Sequence, residues 1–161
     1  MPRALPWFGV AALVLVLDLL TKWAVLAHFA PGEPRALAPF FNLVLVFNRG
    51  AAFSFLASAP GWQTPLFAGF AVIASIVIAV LLIKNTRKKM FCAGLAPILG
   101  GAIGNLIDRL RYGHVVDFLD FHVLGWHWPA FNVADSAITV GAAILILDGF
   151  LTREKPPAAA A

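Results

Sequence analysis

Four long apolar runs, separated by segments where the polar residues cluster, set the pattern of this chain. They cover about Leu5 to Phe29, Leu66 to Ile83, Met90 to Ile107 and Ser136 to Leu151. A helix needs about 20 apolar residues, with a range of roughly 17 to 25, to cross the hydrocarbon core of a bilayer. Each run therefore reads as a spanning helix, and the fourth, the shortest, gains length if the residues before it join. The first run exceeds the roughly 7 to 15 residues of a cleavable signal core and three more spans follow it, so it reads as a retained helix. The stretch 30–65 is too long and too apolar for a plain linker. Its "FFNLVLVFNRGAAFSFL", with a turn-like "NRG" at 48–50, predicts a short hairpin near the membrane surface. The pattern predicts an all-α membrane protein, a four-helix transmembrane bundle in a single integral domain over 1–161, with a disordered tail from about 155 to 161.

Composition agrees with this reading and adds an orientation. Only 12% of the residues are charged, against about 25% in soluble domains, and the mean hydropathy is +0.86. A nucleic-acid binder would spread its basic residues over a polar face, and this chain has almost none to offer. The single cysteine, Cys92, lies inside an apolar run, so it reads as a small buried hydrophobe and not as part of a disulfide or zinc framework. Lys84, Arg87, Lys88 and Lys89 fill the linker after the second span, Arg3 precedes the first, and Arg153 and Lys155 follow the fourth. The excess of lysine and arginine in cytoplasmic loops puts these three segments, and both termini, inside. Loops 30–65 and 108–135 then face outward, with Trp62, Trp126 and Trp128 where aromatic rings favour the interface.

The polar residues inside the spans carry the candidate chemistry. Asp18 and Lys22 lie four apart on one face of the first helix, a spacing that suits an ion pair with Lys22 snorkelling outward. In "GLAPILGGAIGNLIDR", Gly100 and Gly104 form a small-xxx-small pair that admits a neighbouring helix. Asn105 and Asp108 share a face, and Asp108 with Arg109 offers a fixed charge pair where the third span ends. These three either terminate the helix and bond across helices or help to position a site.

The stretch "GHVVDFLDFHVLGWHWPAFNVADSAITVG", 113–141, concentrates three of the six aspartates and three of the four histidines. Asp117 and Asp135 are 135 − 117 = 18 residues apart, enough for a loop to return both to one membrane face. Asn132 as N-cap with Asp135 three residues on also reads as a helix start. Two carboxylates held close cannot both ionise comfortably, so one keeps a proton near neutral pH and the pair supplies an acid and a base. That pair meets the requirement for peptide hydrolysis by activated water. No serine stands in a "GxSxG" elbow and no "HExxH" is present. His114, His122 and His127 read as interfacial side chains bonded to water or backbone, and Asp120 and Asp148 as structural or solvated. From the residues alone, a proton-coupled carrier and a non-catalytic scaffold stay open beside the hydrolase.

Five motifs in order resemble those of the lipoprotein signal peptidase family, signal peptidase II: "DLLTK" at Asp18–Lys22, "NRGAAF" at Asn48–Phe53, "GGAIGNLIDR" at Gly100–Arg109, "VVDF" at Val115–Phe118 and "FNVADS" at Phe131–Ser136. The resemblance covers almost the whole chain. It implies a metal-free, cofactor-free membrane aspartyl protease that cuts bacterial diacylglyceryl prolipoproteins just before the lipidated cysteine. It implies that Asp117 and Asp135 are the catalytic dyad. Asp18, Lys22, Asn48, Gly50, Asn105, Asp108, Arg109, Asn132 and Ala134 would be its supporting positions. It further implies a small extracytoplasmic β cradle and a surface helix from loop 30–65. The expected setting is the bacterial inner membrane with the site toward the outer face. The expected partners are prolipoprotein substrates and membrane lipid, with no nucleic acid, and a monomer should suffice. A helix N-terminus at Asp135 favours its ionised form by roughly 0.3–1 kcal/mol, so Asp117 is expected to hold the shared proton, as one microstate of a coupled pair.

Overall fold

The computed structural model describes residues 3–50 and 61–152. The element order is α1 (Leu5–His28), β1 (Arg35–Ala38), β2 (Phe41–Asn48), α2 (Gln63–Lys84), α3 (Lys89–Tyr112), β3 (Val115–Val123), β4 (Trp126–His127) and α4 (Val133–Leu151). All four helices are long and apolar enough to cross a membrane. Their outward faces carry bare hydrophobic side chains, such as Leu13, Leu20, Phe70, Ile73 and Ile146, as expected of surface meant for lipid.

The helix α3 is the centre of the bundle and packs on α1, α2 and α4. Small residues make this possible. A Cβ at Gly100 would strike the Ala11 carbonyl and Val14 of α1, and one at Gly104 would strike the Asp18 carboxylate. On the opposite side, Gly101 abuts the Ala134 carbonyl and Gly141 abuts the Gly94 carbonyl, so α3 and α4 touch backbone to backbone. The buried residues of α1, Ala11, Asp18, Lys22 and Val25, fall on one stripe and face this seam.

The part outside the four helices is more β-rich than the all-α expectation. One sheet has the order β1-β2-β3-β4, antiparallel throughout. The hairpin expected to turn at "NRG" is instead β1–β2, turning before Phe41, and Asn48 ends β2. The main partner of β2 comes from the other outer loop: Asn48 lies opposite Val115, Val46 opposite Asp117 and Asn42 opposite Asp120. Val25 of α1 packs with Leu45, Val116 and Phe118 beneath the sheet, which seats it on the bundle. The surface helix expected in loop 30–65 would fall within 51–60, and the tail from about 155 to 161, both outside the described residues.

The third span also runs on past Ile107. Asn105, Asp108 and Arg109 do not terminate α3, because each finds a partner inside the protein. The helix continues to Tyr112 and stops at Gly113, whose φ of 75° closes the helix in the left-handed region. That stop turns the chain directly into β3.

Gly100→Val is expected to cost about 1–3 kcal/mol by overpacking the α1–α3 seam. Gly9→Val, where nothing lies within 4 Å, should change little. Thermal unfolding of both variants in one detergent measures the difference.

Candidate active site

The site is built where α1, α3, β3 and α4 meet, around a buried lysine. Lys22 is 2% exposed, so it does not snorkel outward as the sequence suggested. Its Nζ lies 2.7 Å from Asp18 Oδ2 and 2.9 Å from Asp108 Oδ2, and donates to Asn105 Oδ1 at 2.9 Å. The ammonium thus lies among two carboxylate oxygens and one amide oxygen. Asp108 is thereby paired with Lys22 and not with its neighbour Arg109, contrary to expectation.

Each group around Lys22 also holds another element. Asp108 Oδ2 accepts the Val116 N–H of β3 at 3.1 Å. Asp18 Oδ1 accepts the Ala134 N–H of α4 at 2.9 Å, which gives Ala134 its place in the set through its backbone. Asn105 must turn its oxygen to the ammonium, so its amide nitrogen faces Asp135 and donates to Oδ1 at 2.8 Å.

Asn132 caps α4, and its Oδ1 accepts the Asp135 N–H at 2.8 Å. The capping reading of "FNVADS" is correct for this half. The return bond of a capping box is replaced, because the Asp135 carboxyl goes to Asn105. With its oxygen committed, Asn132 donates through Nδ2 to Asp117 Oδ1 at 2.7 Å. Asn48 Nδ2 donates to Asp117 Oδ2 at 3.0 Å. Asp117 is thus held at both oxygens, from β2 and from the α4 cap, and is 1% exposed. Burial and the neighbouring charge of Asp135 push its pKa up to about 7. Asp117 and Asp135 are brought into one site.

Arg109 closes the other side. It donates to the Gly50 carbonyl at 3.0 Å and to the Asn105 carbonyl at 3.3 Å, and stands over the Phe67 ring. Gly50 in turn donates its N–H to Asn48 Oδ1 at 2.8 Å. Gly50 therefore acts through its backbone, linking the end of β2 to α3. A groove of about 510 Å³ opens beside these groups, lined on its apolar side by Phe67, Ala71, Ile138 and Val140 and on its polar side by Asn48, Asn105, Arg109 and Asp135.

Asp120 is structural, one of the two roles expected of it, whereas His127 was misread from sequence. Asp120 has partners: Asn42 Nδ2 at 2.9 Å and His127 Nδ1 at 2.8 Å. These hydrogen bonds hold its carboxyl below the usual range despite burial. His127 therefore bonds a carboxylate and not water or backbone. The turn at Leu124–Gly125, with both residues at positive φ, sets His127 opposite His122 and so near Asp120, and a leucine there gave no sequence signal of it. This cluster ties β2, β3 and β4 together on the far side of the sheet from Asp117.

Four apolar helices, a small sheet seated on them and two carboxyls in one polar site describe a multi-pass membrane protein. The family model for Signal peptidase (SPase) II matches residues 10–151, and the chain belongs to this family of aspartic-type peptidases. The lipoprotein signal peptidase of Paraburkholderia phymatum is 64% identical over 143 residues, which are 89% of this chain and 86% of that protein. The lipoprotein signal peptidase of Burkholderia mallei is 59% identical over 143 residues, again 89% of this chain and 86% of its own. Among solved structures, a bacterial membrane enzyme determined in meso at 2.3 Å superposes with a TM-score of 0.81 at 28% identity, covering 95% of this chain and 94% of its own. The chain is a bacterial multi-pass membrane peptidase.

Lys22→Met would leave Asp18 and Asp108 buried without their cation, a loss of about 3–5 kcal/mol for a broken buried pair. The expected outcome is a lower yield of monodisperse protein and an earlier unfolding transition in detergent. Arg35→Met, where the nearest carboxylate oxygen is 3.9 Å away at the surface, should cost almost nothing.

Proposed function

We propose that this protein removes the signal peptide from diacylglyceryl-modified prolipoproteins, cutting before the lipidated cysteine, with Asp117 and Asp135 as the catalytic dyad. The observation that carries this reading is the Asn132 side chain, which accepts the Asp135 N–H and donates to Asp117 Oδ1. One amide fixes the Asp117 carboxyl against the backbone of Asp135, within a chain of a peptidase family.

In the resting enzyme Asp117 holds the shared proton and Asp135 is ionised. Support comes from the upward-shifted pKa of Asp117, and from the place of Asp135 in the N-terminal turn of α4, where the helix dipole favours a negative charge. Asp135 takes a proton from water as its oxygen attacks the scissile carbonyl carbon, and Asp117 gives its proton to the carbonyl oxygen. The tetrahedral intermediate collapses when Asp117 recovers that proton. Asp135 then passes its own to the leaving nitrogen, so the C–N bond breaks to a carboxyl and an amine. The signal helix enters from the lipid through the side of the groove formed by Phe67, Ala71, Ile138 and Val140. Asn48, Asn105 and Asn132 act as positioning residues. Asp18, Lys22 and Asp108 act one step further out, and Arg109 holds the Gly50 carbonyl over the site.

The orientation follows the lysine and arginine bias: both termini are cytoplasmic and the dyad lies at the outer end of α4. The protein works as a monomer and as one integral domain, since α1, β2, α3, β3 and α4 of one chain suffice to assemble the dyad's surroundings.

With chelator present, wild type is expected to release the signal peptide from a diacylglyceryl prolipoprotein. Asp117→Asn and Asp135→Asn should each lose at least about a hundredfold in rate, the scale of general acid–base catalysis. Gel-shift assays on equally folded samples read this out, and full activity in either variant removes that residue from the dyad.

The raised pKa of Asp117 also fixes a pH dependence. The folded protein holds this proton more tightly than the unfolded chain, so the associated stability is complete below the ordinary carboxylate range. It is lost as pH rises from there through about 7. Activity is expected to fall along a one-proton limb above about pH 7 as Asp117 loses its proton. A rate profile flat well above that pH contradicts the assignment.

A further inference from the structure

A second cavity, which the hydrolysis does not use, adjoins the groove beside the dyad. This cleft, also about 510 Å³, is lined by Phe40, Phe121, Val123, Trp126, Trp128 and Phe131, with His122 at its edge. Trp128 and Phe131 line both cavities, so the two adjoin.

The strand register explains the connection. Side chains on a strand alternate between faces, so Asp117, Phe121 and Val123 share one face of β3. The pairing of Val123 with Trp126, and the Trp128 N–H bond to the Phe121 carbonyl at 2.8 Å, bring Trp126 and Trp128 to that same face. At about 3.3 Å per residue, Phe121 lies roughly 13 Å along the strand from Asp117. The cleft is thus an apolar track that runs along the Asp117 face of β3 and ends at the hairpin tip. There Val123 and Trp126 are each 62% exposed and Leu124 is fully exposed.

We infer that this cleft receives an acyl chain of the substrate's diacylglyceryl group, an assignment that rests on the prolipoprotein reading above. Two occupants could reach it from the scissile bond: the exported peptide beyond the cysteine, or the acyl chains on the cysteine itself. An extended peptide brings an N–H and a C=O at every residue, and each needs a partner when it leaves water. Among the described lining residues the polar side-chain groups are the His122 ring, which stacks on His127 at 4.9 Å, and the indole N–H groups of Trp126 and Trp128, too few to serve an extended backbone. An acyl chain makes no such demand. Raising the modified cysteine to the dyad also lifts the first methylenes of its acyl chains out of the bilayer core. A wall of aromatic rings beside the site keeps them from water.

The test compares two synthetic prolipoprotein peptides of one sequence, carrying either dipalmitoyl or dibutyryl glyceryl on the cysteine, in detergent micelles. Wild type is expected to favour the long-chain substrate by about tenfold or more in kcat/KM, the effect of burying a few extra methylenes. Trp126→Ser, which opens the wall, and Val123→Trp, which fills the cleft, should each shrink that preference to about threefold or less, mainly through KM for the long-chain substrate. Phe70→Ser on the outward face of α2 should keep the wild-type ratio. Cleavage of the dibutyryl substrate reports that a variant is folded; if Trp126→Ser fails it, Val123→Trp decides. An undiminished long-chain preference in the folded variants overturns the inference. So does a loss that follows the side chains of the exported peptide instead of acyl length. Failure of wild type to cut either substrate would overturn the peptidase reading itself, a distinct result.

Discussion

The Lys22 ammonium is the point on which the rest of the site depends. A cation buried in an apolar bundle is tolerable only when its charge is compensated, and here Asp18 and Asp108 pair with it and Asn105 accepts from it. Each of those groups also reaches to another element: Asp18 to the start of α4, Asp108 to the start of β3 and Asn105 to Asp135. One charge therefore fixes where the Asp117 strand begins, where the Asp135 helix begins and which way Asn105 points. The glycines of α3 are its precondition, since a side chain at Gly104 would occupy the space of the Asp18 carboxylate.

The same constraint bears on the proposed chemistry. Four carboxyls, those of Asp18, Asp108, Asp117 and Asp135, share the region with two cations, Lys22 and Arg109. Lys22 is committed to Asp18 and Asp108, which leaves Arg109 as the neighbouring cation for the two carboxyls of the dyad. Retaining one proton on that pair brings the cluster closer to neutrality than full ionisation would. The apolar setting that makes charge expensive thus also makes an acid available at neutral pH. Asn48, Asn105 and Asn132 supply neutral hydrogen bonds, which position the carboxyls without adding the charge that a lysine or arginine would bring.

Much of this was legible in the chain, and the misreadings have physical causes. The spans could be read because hydropathy is a property of consecutive residues: the first run, set at 5–29, is the helix Leu5–His28. Gly100 and Gly104 could be read because close approach demands small residues whatever the partner. The end of α3 was misjudged because Asn105, Asp108 and Arg109 look like residues leaving the membrane, whereas their partners are α1, β3, α4 and Gly50. The sheet was placed in one loop because alternation identifies a strand and not its partner. The partner of β2 lies some 70 residues on, from Val115 opposite Asn48 to Asp120 opposite Asn42. Lys22 was expected to reach outward because the two acceptors that hold it besides Asp18 lie on another helix.

The central claim is that Asp117 and Asp135 share one proton, which rests on Asp117. Infrared difference spectroscopy of the protonated-carboxyl band, recorded across neutral pH in detergent, tests it most directly. The account requires a buried carboxyl band that titrates away near pH 7, persists in Asp108→Asn and is absent in Asp117→Asn. A band that survives in Asp117→Asn and vanishes in Asp135→Asn would put the proton on the other carboxyl. No such band at any pH above the ordinary carboxylate range would contradict the shared-proton pair altogether.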